Sequence, residues 1–311
     1  MDVARQILTV LMALGLLTAC GGEAADSTNA PPVADEVADG AVGPALWTVS
    51  DEDTTLYLLG TVHVLRPEID WLTPQIREAL EASDTVYFEA DVDSPAAQEA
   101  LTRAVTELGL YTDGSTLRDL LADPDEQEVA ETAELLGLPF AGINNFRPWF
   151  AAIALSDVHL NRLGFSRDEG VEQVLGAEVE RLGQDVRYFE TGAEQISLLS
   201  SISEAAQIDM LVFTAEQIED DPNFLDRMVA EWVEGDVETL GALIATDQAF
   251  GAGEAYDIML AGRNARWADT LTTLMDEEAG TFFIAVGAAH LVGEDSVQVL
   301  LEGRGLTVDR Q

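Results

Sequence analysis

Residues 54–63 read TTLYLLGTVH, and residues 281–290 read TFFIAVGAAH. Each is an apolar run of strand length, rich in β-branched, leucine and aromatic residues, and each closes on a glycine with a histidine three positions later. Such runs predict buried strands over 54–60 and 281–286, with Gly60 and Gly287 marking where the chain turns off them. The flanking sequence repeats this logic. Residues 46–49 form a second short strand, joined to the first by the turn-forming Ser50, Asp51, Glu52 and Asp53, so a β-hairpin enters the sheet. Helical spacing follows over 73–83, with Thr73 as cap and Pro74 at the first helical position. Residues 84–91, DTVYFEAD, return to a buried strand that ends in carboxylates.

From Ser94 to about Ala245 the period is helical, interrupted by one strand, DVRYFET at 185–191. A helix over 262–275, the strand over 281–286, a helix over 295–302 and a last strand over 306–309 complete the chain. Strand–turn–helix units with short connections predict an α/β fold: a mixed, partly parallel sheet with helices on its faces and a large helical middle region. Ligands of such sheets collect at the carboxyl ends of the strands. Both Gly-x-x-His segments stand at such ends.

The chain has three histidines, and two of them, His63 and His290, share this local context. Imidazole is a common nitrogen ligand for divalent ions, and one histidine from each strand end could converge on a single ion. The strands ending at Glu89 and Glu190 offer oxygen ligands or a general base at the same sheet edge. Two histidines with carboxylates suit Zn, Mn, Co or Fe as the divalent metal ion, with a water activated for hydrolysis. No H-E-x-x-H helix is present. His159 lies in a helical stretch outside every motif and reads as structural.

Fifteen basic residues, all arginine, face 58 acidic ones, for a formal net charge of −43. A surface of that sign repels phosphate backbones and anionic headgroups, which argues against nucleic acid and against direct adsorption to a membrane. Hydrophobic residues make up 47% of the chain, so a core is expected despite the charge. The single cysteine, Cys20, rules out an internal disulfide framework and a cysteine-based zinc site. It follows Arg5, the apolar stretch 7–17, and Leu17-Thr18-Ala19, and precedes Gly21 and Gly22. This is the layout of a signal peptide over 1–19 closed by a lipobox. The expectation is a lipidated Cys20, an acidic linker to residue 44, a domain over 45–311, and export to the cell envelope with the outer membrane as destination where there is one.

Taken in order, GTVH, YFEAD, FRPWF, YFET, GRNARW and FFIAVGAAHLVGEDSVQVLLEGRGLTV resemble the TraB/GumN family, which also holds the Tiki metalloproteases and is distantly similar to erythromycin esterase and ChaN-like folds. The resemblance implies that His63 and His290 are metal ligands, that Glu89 is a ligand or general base, and that Glu190 is a site carboxylate. It also implies that Arg263 polarises a carbonyl or stabilises an oxyanion, with Asn264 orienting it. Arg147, before Pro148 and Trp149, matches a position usually held by lysine and reads as a helix start. The sequence departs from the family where Gly170-Val171-Glu172 replaces Gly-Val-Asp. The function implied is a metal-dependent hydrolase, foremost a peptidase. The alternatives are a metal-dependent esterase and a non-catalytic surface lipoprotein that binds metal, haem or peptide; in each the partner is a peptide or small molecule.

Overall fold

The computed structural model of the chain describes residues 43–245 and 253–311. The leader, Cys20 and nearly all of the linker therefore lie outside the described residues. Six strands form one sheet: β1 (Leu46–Ser50), β2 (Thr54–Thr61), β3 (Thr85–Asp91), β4 (Asp185–Thr191), β5 (Gly280–Gly287) and β6 (Val308–Arg310). Their spatial order is β4-β3-β5-β2-β1-β6. The pairs β4–β3, β3–β5 and β5–β2 are parallel, whereas β1 pairs antiparallel with both β2 and β6. The mixed, partly parallel α/β sheet expected from the sequence is thus present, with β1–β2 as the entering hairpin.

One register decides what the sheet can do. Thr61 of β2 lies opposite Gly287 at the end of β5, so the two Gly-x-x-His segments leave the sheet side by side and at the same level. Each glycine has its own reason. A methyl on Gly60 would lie 3.0 Å from the Ala288 Cα, so β2 needs a glycine there to pass close to the turn after β5. A methyl on Gly287 would lie 3.1 Å from Glu89 Oε1, 3.5 Å from His63 Nε2 and 3.6 Å from His290 Cδ2.

Helices cover both faces. On one face pack α1 (Pro74–Glu81), capped as expected by Thr73 Oγ1 accepting from Ile76 N, and the helix that starts at Val171. Between β3 and β4 lie α2 (Pro95–Leu108), α3 (Asp123–Leu135), α4 (Pro148–Arg162) and α5 (Val171–Leu182). After β4 come α6 (Gly192–Ser201), α7 (Glu204–Asp220), α8 (Phe224–Glu234) and α9 (Val237–Ala245). Helices α2, α3, α4, α6 and α7 bury their own apolar cluster around Trp149, Phe150 and Leu211. Arg147 precedes α4 and stacks its guanidinium on Tyr111, while Trp149 is buried, in keeping with a helix start. The opposite face of the sheet is covered by α10 (Gly262–Glu277) and α11 (Val297–Gly303), whose Trp267, Leu271 and Leu301 pack on Leu56, Leu58 and Ile284. A π-helical turn, Asp257–Ala261, leads into α10.

Candidate active site

The carboxyl ends of β2, β3, β4 and β5 bring His63, Glu89, Glu190 and His290 into one buried cluster, and α10 adds Arg263 from above. Arg263 is its hub. Its Nη2 donates to Glu89 Oε2 at 2.6 Å and its Nε to Glu190 at 3.0 Å. Its Nη1 donates to the Met259 carbonyl and to His290 Nε2, both at 2.9 Å. The carbonyl belongs to the π-helical turn, a local widening of the helix of the kind that gathers at functional sites. The guanidinium also lies over the Trp267 ring, 4.5 Å from its centroid.

Glu89 joins the strands. Its Oε1 accepts the Gly287 amide at 2.7 Å and lies 3.7 Å from His290 Nε2, while Oε2 also accepts from Gln195 of α6. Burial pushes the carboxyl pKa up, but Arg263, both histidines and the Gly287 amide outweigh it and hold the group well below the usual carboxylate range. These partners favour the anionic form of Glu89, which suits it to binding a cation.

The two histidines differ in what stands behind them. His63 Nδ1 lies 2.5 Å from Glu172 Oε1, which also accepts from the Thr61 hydroxyl. A carboxylate only accepts, so Nδ1 carries the proton and the neutral ring keeps its lone pair on Nε2, the atom near Gly287. Burial lowers the His63 pKa, yet the charge and hydrogen bond of Glu172, helped by Glu89, raise it above 6.5 on balance. Gly170 makes this fit possible, since a methyl there would run into the His63 carbonyl. Glu172 thus holds the His63 ring, a role that the sequence, read as a departure from Gly-Val-Asp, had not disclosed. The one available signal was its place two residues after that glycine.

His290 is 2% exposed and accepts from Arg263 on Nε2, so Nδ1 bears its proton and donates to Asn264 Oδ1 at 2.5 Å. Asn264 Nδ2 in turn donates to the Asp295 carbonyl. Burial and the Arg263 charge pull the His290 pKa down to about 3. Asn264 therefore fixes the tautomer of His290; it was expected to orient Arg263, but the two consecutive side chains instead take the two nitrogens of the same ring, so Asn264 acts on Arg263 only through His290. Glu190 was expected as an oxygen ligand or base, but both its oxygens face Arg263 and Arg266, as the neighbouring carboxylate of an arginine. His159 hydrogen-bonds the Pro222 carbonyl oxygen and takes no part in the cluster contacts described above.

The donor set fits a divalent ion in part. His63 has the carboxylate-backed ring typical of a metal-binding histidine, and Glu89 supplies a charged oxygen. His290 differs: its Nε2 lone pair is directed at Arg263. Among the described residues no group of three or more His, Cys, Asp or Glu side chains is set to hold a metal ion. A third ligand from His290 requires Arg263 to withdraw.

The chain belongs to the TraB/PrgY/gumN family, whose model matches residues 45–310. It is 21% identical over 261 residues to the uncharacterized protein YbaP of Escherichia coli (strain K12), covering 83% of this chain and 92% of that one. It is 24% identical over 314 residues to Metalloprotease TIKI1 of Danio rerio, covering 85% of this chain and 62% of that protein. No solved structure matches.

Proposed function

We propose that this member of the TraB/PrgY/gumN family is a metal-dependent hydrolase that cleaves a peptide bond at the cluster of His63, Glu89, Arg263 and His290. The observation that carries the reading is the convergence of two imidazoles and a buried carboxylate, from three adjacent parallel strands, on the end of β5, where a methyl on Gly287 would lie within 3.6 Å of His63, His290 and Glu89, and where Arg263 ties Glu89 to His290. Kinship with a protein named as a metalloprotease supports it. His63 and Glu89 would hold the divalent ion, with His290 as the further candidate. When bound, the ion supplies a Lewis acid and a water of lowered pKa.

The chain's own groups do the rest. Glu172 keeps the His63 lone pair on Nε2. Glu190 and the Met259 carbonyl anchor Arg263, and its contacts with described residues account for four of its five N–H groups. The fifth, on Nη2, is the donor for the oxygen of a substrate carbonyl as negative charge develops there. His290, kept neutral by burial and the Arg263 charge and held in one tautomer by Asn264, accepts from Arg263 without adding a competing positive charge. Export and attachment to the envelope through Cys20 complete the proposal.

The test is elemental analysis of the purified full chain, followed by assay on a mixed peptide library with and without chelator. His63→Ala should lose both metal and cleavage. Arg263→Gln should retain metal while its turnover falls on the order of 100-fold. Cleavage that survives both chelator and His63→Ala overturns the reading. Cleavage of esters alone would make the protein an esterase, and metal binding without any cleavage would make it a binding protein.

A further inference from the structure

The two edges of the sheet are built differently. β6, at one edge, is a stub of three residues, Val308–Arg310. β4, at the other, runs seven residues, Asp185–Thr191, in register with β3, and contains no proline, glycine or lysine. Short strands, prolines, bulges and charged side chains, lysine above all, are the usual devices that stop an edge from recruiting another strand; of the charged residues of β4, Arg187 and Glu190 are engaged in ion pairs with Glu278, Arg263 and Arg266. Among the described residues no strand pairs with the outer side of β4.

The side chains of β4 add a second observation. On the face that carries Arg187 and Phe189, the strand is tied down: Arg187 pairs with Glu278 and the Tyr87 hydroxyl, and Phe189 stacks on Trp267. On the other face α5 packs over Val86 and Phe88 of β3 and leaves Val186 and Tyr188 of β4 40% and 44% exposed. These are two of the four large apolar side chains exposed among the described residues. Acids flank them. Asp91 and Asp93 act on the Tyr188 phenol from the end of β3, and Asp185 opens the strand. The strand then delivers Glu190 directly to Arg263.

We propose that the outer edge of β4 is the substrate-docking edge, where an extended polypeptide carrying lysine or arginine adds itself as a seventh strand and is led to the cluster at the strand's carboxyl end. The backbone N–H and C=O groups of an unpaired edge are satisfied in the sheet plane by another extended backbone. Valine-like side chains of the guest sit beside Val186 and Tyr188 as cross-strand neighbours. Its basic side chains answer Asp91, Asp185 and the net charge of −43, Asp93 being already paired with Arg167. The identity of the substrate as a peptide rests on the hydrolase reading; the edge as a docking surface rests on the strand itself.

The experiment measures binding apart from cleavage. A fluorescein-tagged octapeptide of alternating lysine and valine is titrated into the full chain bearing His63→Ala, followed by fluorescence anisotropy. A second peptide of the same sequence, N-methylated at alternate residues along one edge, keeps its charge and loses the ability to pair as a strand. The expected result is binding at least tenfold weaker for the N-methylated peptide, and likewise for Val186→Lys and Tyr188→Lys, with thermal melts confirming that both variants are folded. Equal binding of the two peptides would reduce the interaction to general attraction by an acidic surface and overturn the proposal. So would lysine variants that bind as the parent does. Strand-dependent binding without cleavage by the unsubstituted chain would leave the docking edge standing and sink the hydrolase reading. Cleavage of peptides that is indifferent to Val186→Lys and to N-methylation would do the reverse.

Discussion

His63 and His290 reach the site by the same route, three residues after a glycine at the end of neighbouring parallel strands, yet they meet opposite electrostatic surroundings. His63 has an anion behind it, Glu172 from α5, and its pKa is raised. His290 has a cation in front of it, Arg263 from α10, and its pKa is pulled down to about 3. The strands fix where the rings stand, whereas the helices decide what the rings can do. One imidazole is kept basic with its outer nitrogen directed inward, and the other is kept neutral with its lone pair already engaged. Where the repeated motif suggests a site of two equivalent ligands, the structure holds a base-and-acceptor pair bridged by Glu89 and Arg263.

Removing the bridge should have the largest effect. Glu89→Ala deletes the carboxylate that both halves share and leaves Arg263, 4% exposed, with Glu190 as its remaining cluster anion. Breaking one partner of a buried pair costs about 3–5 kcal/mol, which for a chain of this size lowers Tm by roughly 10 °C. An unchanged melt would mean that the two histidine halves are energetically independent.

The second prediction sets the halves against each other by pH, with chelator present so that only protons bind. A histidine whose folded pKa lies below its ordinary 6.5 contributes stability above that pH and loses it as pH falls toward the folded value. From pH 7.5 to 4.5 the stability advantage of the parent chain over His290→Gln should shrink by roughly 2–3 kcal/mol. A histidine whose folded pKa is raised contributes below 6.5 and loses that contribution as pH rises through the raised value. The advantage over His63→Gln should accordingly widen across the same acidification. Urea melts at both pH values decide the matter, and slopes of one sign for both variants would erase the contrast.

How much of this was readable beforehand follows from range. The strands were legible because their signals are local: TTLYLLG and TFFIAVG are apolar, of strand length and closed by glycine, and β4 falls at 185–191 as its residue types require. The pair of histidines was legible because so few exist in the chain. The register of Thr61 with Gly287 was not, since nothing near either residue encodes pairing with a strand more than two hundred positions away. The carboxylates were hidden for a different reason. With 58 acids in the chain, Glu89, Glu172 and Glu190 stand out only once burial and partners single out the few whose charge is fully opposed.

Asn264 tests the His290 half alone. Asn264→Ala leaves His290 Nδ1 and the Asp295 carbonyl without their partner, at a cost of about 1–2 kcal/mol. The ring is then free to turn, and proton NMR should show the His290 tautomer losing its fixed Nδ1–H resonance while that of His63 stays. Disturbance of both rings together would show that the halves are coupled through Arg263 more tightly than their separate partners suggest.

The smallest expected change in stability comes from Glu172→Gln, and it is the sharpest test of the His63 half. The substitution keeps the shape of the side chain and its hydrogen bond, so the fold should lose less than about 1 kcal/mol at neutral pH, less than the net worth of one such bond. The chemical effect is selective. The amide oxygen still accepts from Nδ1, so the ring keeps its place, but the negative charge that raises the His63 pKa is gone and that pKa should fall. Loss of such a carboxylate behind a metal-binding histidine weakens metal affinity by about tenfold or more. Titration of the full chain with Zn²⁺ or Mn²⁺ by calorimetry should therefore show weaker binding for Glu172→Gln and nearly parental binding for Asn264→Ala. Equal losses for the two variants would mean that His290 ligates the ion as fully as His63 does and that Arg263 gives way when the ion enters, which would undo the asymmetry between the two rings.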